Sequence, residues 1–362
     1  MILSCGTGEG HNSAAHAIED ALADKNIEFE MLDPISFRSE GASKRVSSFY
    51  NNMIRKTPRM FGVVYKMGSI FEKTRITSPV YYANCLYAEK LAKYIKENSF
   101  DAVICTHLYG MEAMTKIRKD TDIPSFGILT DYTCIPFIGE TKLDKYFIPV
   151  ESMTDEVTGK GIPKEKQVVT GIPTAKKFSD RITKEEARRR LDMPLDSRIY
   201  VAATGGVGCE KMEGFCDELL KVEQGDFRLY LLVGRNNAMK ERIDKKYENE
   251  PRILTVAFTK EINVYMRAAD VMISKPGGLS STEAAVTNVP LVHVHTIPGC
   301  ESANVKFFSE NGLSSHAKSS KEAAIFAKEL THDLEKAEQM KENQRRVISR
   351  TAAEDIVNEI LK

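Results

Sequence analysis

The feature that most restricts the fold is an alternation repeated in two blocks. Short apolar runs of strand type are followed by stretches of helical period. In the first block "MILSC" reads as a strand. Asn12 to Ala23 reads as a helix, with Ala14, Ile18, Ala21 and Leu22 on one face. "FEMLDP", "DAVICTH", "PSFGILTD", "KYFIPV" and "QVVTGIP" continue as strands, with a helix over 109–119 and a long, mostly helical region over 43–97. The second block runs "RIYVAATG", helix 210–223, "FRLYLLVG", helix 236–247, "RILTVAF", a short helix near 262–268, "DVMIS", a helix from Ser280, and "PLVHVH". Helices over 301–311, 320–333 and 335–361 close the chain. Between the blocks, "TAKKFSDRITKEEARRRLDMPLDS" is polar, charged and without a strand, and reads as an interdomain linker.

Alternation on this scale predicts parallel sheets covered on both faces. A chain of 362 residues is too long for one ordinary core. The expectation is an α/β protein of two doubly wound domains, 1–175 and 176–345, with a C-terminal helix over 346–362 returning to the first. Ligands of such sheets lie outside the carboxyl ends of the strands, so the glycine-rich turns there are the candidate sites.

Charge excludes little and suggests little. Lys+Arg and Asp+Glu both number 51, so no global excess points to nucleic acid. Seven scattered cysteines, odd in number and without a CxxC pair, predict a reduced, cytoplasmic protein. The opening strand carries no signal-peptide pattern, and no apolar run approaches the roughly 20 residues that cross a bilayer. Neither an Asp-x-Asp nor a His/Cys cluster of ligand spacing is present, so no metal and no cofactor are expected.

Three turns bring backbone close to something. Gly6-Thr7-Gly8-Glu9-Gly10-His11 joins strand to helix, and its His11 stands at the mouth of the sheet, able to change charge near neutral pH. Thr204-Gly205-Gly206-Val207-Gly208 follows the first strand of the second block. "KPGGLSSTEAAVTNVPLVHVHTIPGCESAN" is the most specific. Gly277 and Gly278 make a turn, and Ser280 and Ser281 offer hydroxyls and N–H groups at a helix start, suited to a diphosphate. Glu283, one turn in, suits both hydroxyls of a ribose, although a first-turn glutamate is also favoured by the helix dipole alone.

That ensemble resembles the nucleotide-sugar motif of family 28 glycosyltransferases, closest to the branch of monogalactosyldiacylglycerol synthases and processive diacylglycerol glucosyltransferases. "GTGEGHNSAAHAI", "YNNMIRKTPRMFGVVYK", "GILTDYTCIP" and "VVTGIP" resemble other parts of the same family, so the likeness spans nearly the whole chain. The resemblance implies a GT-B fold, two Rossmann-like domains facing across a cleft. It implies a UDP-sugar in the second domain: Glu283 on the ribose, Gly277, Gly278, Ser280 and Ser281 on the diphosphate, Gly205 and Gly206 near the phosphates or sugar, backbone near Phe258 on the uracil, Glu301 and Asn304 on the sugar. Two departures stand out. Cys300 occupies the place of the family's glutamine and cannot supply an amide's donor and acceptor. After Asp131, where the family commonly has a histidine, this chain reads "YTCIP".

The implied reaction is inverting transfer of a hexose to diacylglycerol, with His11 as base, Glu9 or Asp131 as orienter or substitute, and helix N-termini stabilising the departing UDP. Residues 44–75 fit a lipid acceptor, with eight Lys/Arg against Glu72 alone, interleaved with apolar and aromatic side chains. Arg55, Lys56, Arg59, Met60, Phe61, Tyr65 and Lys66 are the candidate contacts to acceptor and anionic membrane, which predicts a peripheral protein on the inner face of the cell membrane. The alternatives are transfer of N-acetylglucosamine to a polyprenyl-linked acceptor and a non-catalytic UDP-sugar sensor. Sugar epimerisation would require a ring of carboxylates that the sequence does not show.

Overall fold

The computed structural model describes residues 1–6, 9–72, 74, 76–118, 121–203, 212–294, 296 and 299–362, without the side chains at 51, 54–56, 58, 59 and 61. The chain forms two compact units. The first holds Met1–Ala175, Ile297–Cys300 and Arg350–Lys362, and the second Lys176–Thr296 and Glu301–Ser349.

Unit one is a parallel six-stranded sheet in the order β2-β1-β3-β4-β5-β6. Its strands are β1 (Ile2–Leu3), β2 (Met31–Leu32), β3 (Val103–Cys105), β4 (Ser125–Ile128), β5 (Lys145–Ile148) and β6 (Gln167–Val169). Its helices are α1 (Glu9–Ala23), α2 (Ala42–Lys56), α3 (Pro58–Glu72), α4 (Pro79–Cys85), α5 (Ala88–Glu97), α6 (Leu108–Ile117) and α7 (Thr154–Gly159). Adjacent strand residues point to opposite faces. Leu3, Val103 and Cys105 pack with Leu91 and Met111 of α5 and α6, whereas Ile2, Ile104 and Phe147 pack with Ile18 of α1.

Unit two has the order β12-β11-β10-β7-β8-β9, again parallel. Its strands are β7 (Arg198–Ala203), β8 (Phe227–Gly234), β9 (Ile253–Ala257), β10 (Val271–Ser274), β11 (Leu291–His293) and β12 (Ser315–His316). The helices are α8 (Lys184–Arg190), α9 (Met212–Val222), α10 (Asn237–Lys246), α11 (Ile262–Ala268), α12 (Gly278–Thr287), α13 (Cys300–Glu310), α14 (Ser320–His332) and α15 (Leu334–Val347). A last helix, α16 (Ala352–Ile360), lies in unit one, with Ala353, Ile356 and Val357 in the α1 core. The single helix expected over 335–361 is thus two, broken at 348–351.

The charged segment after Pro173 is no loose linker. From Lys176 it belongs to unit two, and α8 opens with a capping box of Thr183 and Glu186. Arg188 is 6% exposed and donates to the Ala268 carbonyl at 3.1 Å and to Asp270 at 2.7 Å. Charge without a strand suggested a linker; here Arg188 binds backbone and a carboxylate.

Candidate active site

In a doubly wound sheet a crevice opens where consecutive strands run outward in opposite directions. In unit two that point lies between β7 and β10. The turn after β7, with Gly205 and Gly206, lies outside the described residues. The turn after β10 is Lys275-Pro276-Gly277, leading into α12. All four residues of β10 are buried, as a central parallel strand requires. Gly277 is the N-cap in extended conformation, and its N–H is used by the Lys275 carbonyl at 2.9 Å. The first-turn N–H groups of Gly278, Leu279 and Ser280 are the ones a helix leaves without an internal acceptor, and the half-buried Ser280 hydroxyl donates to the Gly277 carbonyl at 3.3 Å, a long bond.

Ser281 departs from the expected role. Its side chain is wholly buried, its hydroxyl lies 2.9 Å from His293 Nε2, and its N–H donates to the Gly277 carbonyl at 3.0 Å. The other ring nitrogen of His293 lies 2.9 Å from the Ser314 hydroxyl, and desolvation lowers its pKa to about 3. Ser281 therefore anchors α12 to β11 and offers a ligand nothing. Asn304 is corrected likewise: fully buried, it donates to the Pro276 carbonyl at 3.0 Å and braces the turn. Glu301 is ion-paired with Lys275 at 2.8 Å. Sequence reasoning missed Lys275, which ties the turn to Glu301, and His293 and Ser314, which hold Ser281.

Glu283 lies one turn into α12, 9% exposed, and has no hydrogen-bond partner among the described residues. Desolvation pushes its carboxyl up to about 8, offset in part by Lys177. A buried carboxylate without a partner is costly, and two hydroxyl donors would satisfy it. Phe258, just past β9, is 54% exposed, with the Arg235 guanidinium 4.4 Å from its ring centre, so a flat apolar surface stands at the same end of the sheet.

In unit one the switch point lies between β1 and β3, and there the structure gathers the acceptor-side candidates. His11, in the first turn of α1, has Nδ1 2.9 Å from the Thr106 carbonyl and 3.1 Å from the Thr130 hydroxyl. A carbonyl only accepts, so Nδ1 carries the proton and Nε2 keeps its lone pair. The His107 ring meets His11 edge-on at 4.5 Å. Desolvation lowers the His11 pKa to about 4, so the ring is neutral at physiological pH and its Nε2 is unprotonated. His11, Thr106, His107, Thr130 and Asp131 line a small cavity floored by Met111 and Ile138. Glu9 is exposed at the start of α1 and outside that lining.

Helix α3 inverts the usual amphipathic arrangement. Met60, Val63, Val64, Met67 and Ile70 form one stripe at helical spacing, and each is at least half exposed. The opposite side packs inward. Gly68 lies against Phe137 and Pro136, and Glu72 accepts the Phe137 N–H and pairs with Lys160. Lys66 is exposed, and Tyr65 is half-buried with its hydroxyl 3.2 Å from Cys300 Sγ, both in unit one. The side chains of Arg55, Lys56, Arg59 and Phe61 lie outside the described set. Among the described residues no helix is long and apolar enough to cross a membrane.

A second buried carboxyl, Glu112 in α6, was not foreseen. It is fully buried, accepts from Asn84 at 2.5 Å through one oxygen, and leaves the other without a partner. Desolvation pushes its pKa up to about 8 from an ordinary 4.5. A carboxyl raised on folding leaves stability intact below the unfolded value and erodes it as pH rises from 4.5 towards 8. Glu112→Gln is therefore expected to raise the thermal midpoint at pH 8.5, by a stability gain on the order of a few kcal/mol, and to change it little at pH 5. Equal shifts at both pH values would refute the assignment.

Similarity to known proteins extends over both units. Residues 11–174 match the monogalactosyldiacylglycerol (MGDG) synthase family, and residues 198–360 match the glycosyltransferase family 28 C-terminal domain. The chain is 25% identical over 370 residues to a processive diacylglycerol beta-glucosyltransferase of Bacillus thuringiensis (strain Al Hakam), covering 100% of this chain and 93% of that one. Among solved structures it is similar to Acinetobacter baumannii MurG, with TM-score 0.62 and 16% identity over 100% of this chain and 98% of that one. It is also similar to an S. aureus MnaA–UDP complex, with TM-score 0.64 and 17% identity over 99% and 94%. These two likenesses support the GT-B fold. The chain thus carries an MGDG synthase family domain over residues 11–174 and a glycosyltransferase family 28 C-terminal domain over residues 198–360.

Proposed function

We infer that the protein transfers a hexose from a UDP-sugar to diacylglycerol, with inversion, while seated peripherally on the inner face of the cell membrane. The observation that carries the donor half is Glu283, a buried carboxylate without a partner at the strand-order switch point of unit two. It would accept both ribose hydroxyls. The Gly278, Leu279 and Ser280 N–H groups and the Ser280 hydroxyl would hold the diphosphate and stabilise UDP as it leaves. Phe258 and Arg235 would flank the base. On the acceptor side, Nε2 of His11 takes the proton of the attacking hydroxyl, and Asp131 lines the same cavity.

The lipid acceptor draws support from the names of the relatives and from the outward apolar stripe of α3, a surface suited to the headgroup boundary of a bilayer. Insertion of that stripe would bring the protein to an acceptor that does not leave the membrane. UDP release is the test, measured with diacylglycerol vesicles containing anionic lipid and either UDP-glucose or UDP-galactose. Release that requires diacylglycerol is expected, and the faster donor identifies the hexose. Release only with a polyprenyl-linked acceptor and UDP-N-acetylglucosamine would replace this reading, and UDP-sugar binding with no release to any acceptor would make the protein a sensor.

A further inference from the structure

Thr106 follows β3 at the switch point of unit one, and two of its atoms have opposite fates. Its carbonyl accepts the His11 Nδ1 proton at 2.9 Å and so sets the tautomer of that ring. Its hydroxyl is buried, the residue being 1% exposed, and finds no hydrogen-bond partner among the described residues. An unsatisfied buried hydroxyl lowers stability, and natural interiors hold few of them. This one belongs to a residue lining the cavity beside His11. The rest of that lining is mostly apolar: Leu108, Met111, Ile128, Leu129, Ile135 and Ile138. The cavity holds about 10 Å³, room for a single oxygen-sized group, and its lining residues carry a proton acceptor and one unused hydroxyl.

We propose that Thr106 is an acceptor-selecting residue, whose hydroxyl hydrogen-bonds an oxygen of the lipid alcohol next to the hydroxyl that His11 deprotonates. The inference rests on the reading of unit one as the acceptor side, and adds a contact which that reading does not contain. In diacylglycerol the carbon bearing the free hydroxyl adjoins one bearing an ester, so a second oxygen is close at hand. Thr106 moves no proton. It fixes the orientation of the acceptor, and through its carbonyl the orientation of the base.

Thr106→Val keeps the shape and backbone and removes only the hydroxyl. Because that hydroxyl is unsatisfied in the empty protein, the variant is expected to unfold at the same temperature as wild type or a few degrees higher. The experiment measures transfer from UDP-glucose to dioctanoylglycerol, with thermal melting and UDP-glucose binding in parallel. The expected result is a rise of about tenfold or more in KM for dioctanoylglycerol, with UDP-glucose affinity unchanged and Thr106→Ser close to wild type. Unchanged acceptor kinetics in Thr106→Val, with wild type active, overturn the role of Thr106 alone. A lowered melting temperature together with lost UDP-glucose binding would make the hydroxyl structural and also overturn it. Wild type that neither binds nor glycosylates dioctanoylglycerol sinks the acceptor reading and this contact together.

Discussion

Replacing His11 with alanine is expected to cut the turnover of sugar transfer by about 100- to 10,000-fold, the range over which a positioned general base contributes, while UDP-glucose binds as in wild type. The separation follows from the division of the chain. His11 belongs to unit one, held by Thr106 and Thr130, and every donor-side group belongs to unit two. The pH profile gives a second signature. Desolvation keeps the His11 pKa at about 4, so the acidic limb assigned to this base should fall near pH 4 and not near the 6.5 of a free imidazole. His11→Gln places an amide at the ring's position but cannot take up the proton, and should be as inactive as alanine. Near wild-type turnover in either variant would remove His11 from the mechanism.

The second large effect concerns Glu283. Its truncation to alanine would remove the two charge-assisted hydrogen bonds proposed for the ribose and should weaken UDP-glucose binding by about 2–3 kcal/mol, roughly 30- to 150-fold. The carboxyl titrates at about 8 in the empty protein, and hydroxyl donors favour its ionised form. Binding therefore releases a proton below that pH, so affinity should climb from pH 6 to about 8 and then level off. Glu283→Gln carries no titratable group and should give a flat profile. Its stability should behave as that of Glu112→Gln does, because the native carboxyl, raised above 4.5, erodes stability as pH approaches 8. UDP-glucose is the proper probe, since its diphosphate, esterified at both ends, does not titrate in this range. Calorimetry that finds the same pH slope in wild type and Glu283→Gln would assign the dependence to another group.

The two doubly wound units were legible because period carries the information. β3 is apolar throughout and β10 apolar up to its last residue, Ser274, so neither reads as a half-exposed strand, and the helices between strands show their buried faces at helical spacing. The turn into α12 was legible for a chemical reason, two glycines followed by hydroxyls and a carboxylate. The direction of each side chain was not. Ser280 and Ser281 are identical in sequence terms, yet a rotation of about 100° along the helix leaves one half-buried beside the free N–H groups and sends the other into the core against His293. Asn304 was taken for a ligand contact because its partner, the Pro276 carbonyl, is a backbone group 28 positions away that no side-chain pattern announces. The charged arm after Pro173 read as a linker because its partners, Asp270 and the Ala268 carbonyl beside Arg188, lie some 80 positions away. Thr106 stood in plain view in "DAVICTH", but an unused hydroxyl becomes visible only once its surroundings are known.

The most direct measurement supplies the purified chain with radiolabelled UDP-glucose and vesicles of anionic lipid, with and without diacylglycerol, and follows label into the organic phase. The account predicts organic-phase label that requires diacylglycerol, vanishes in His11→Ala, and resides in a glycolipid of β-anomeric configuration, inverted from the α-linked donor. Label that stays aqueous with diacylglycerol present, or a product of retained configuration, would contradict it.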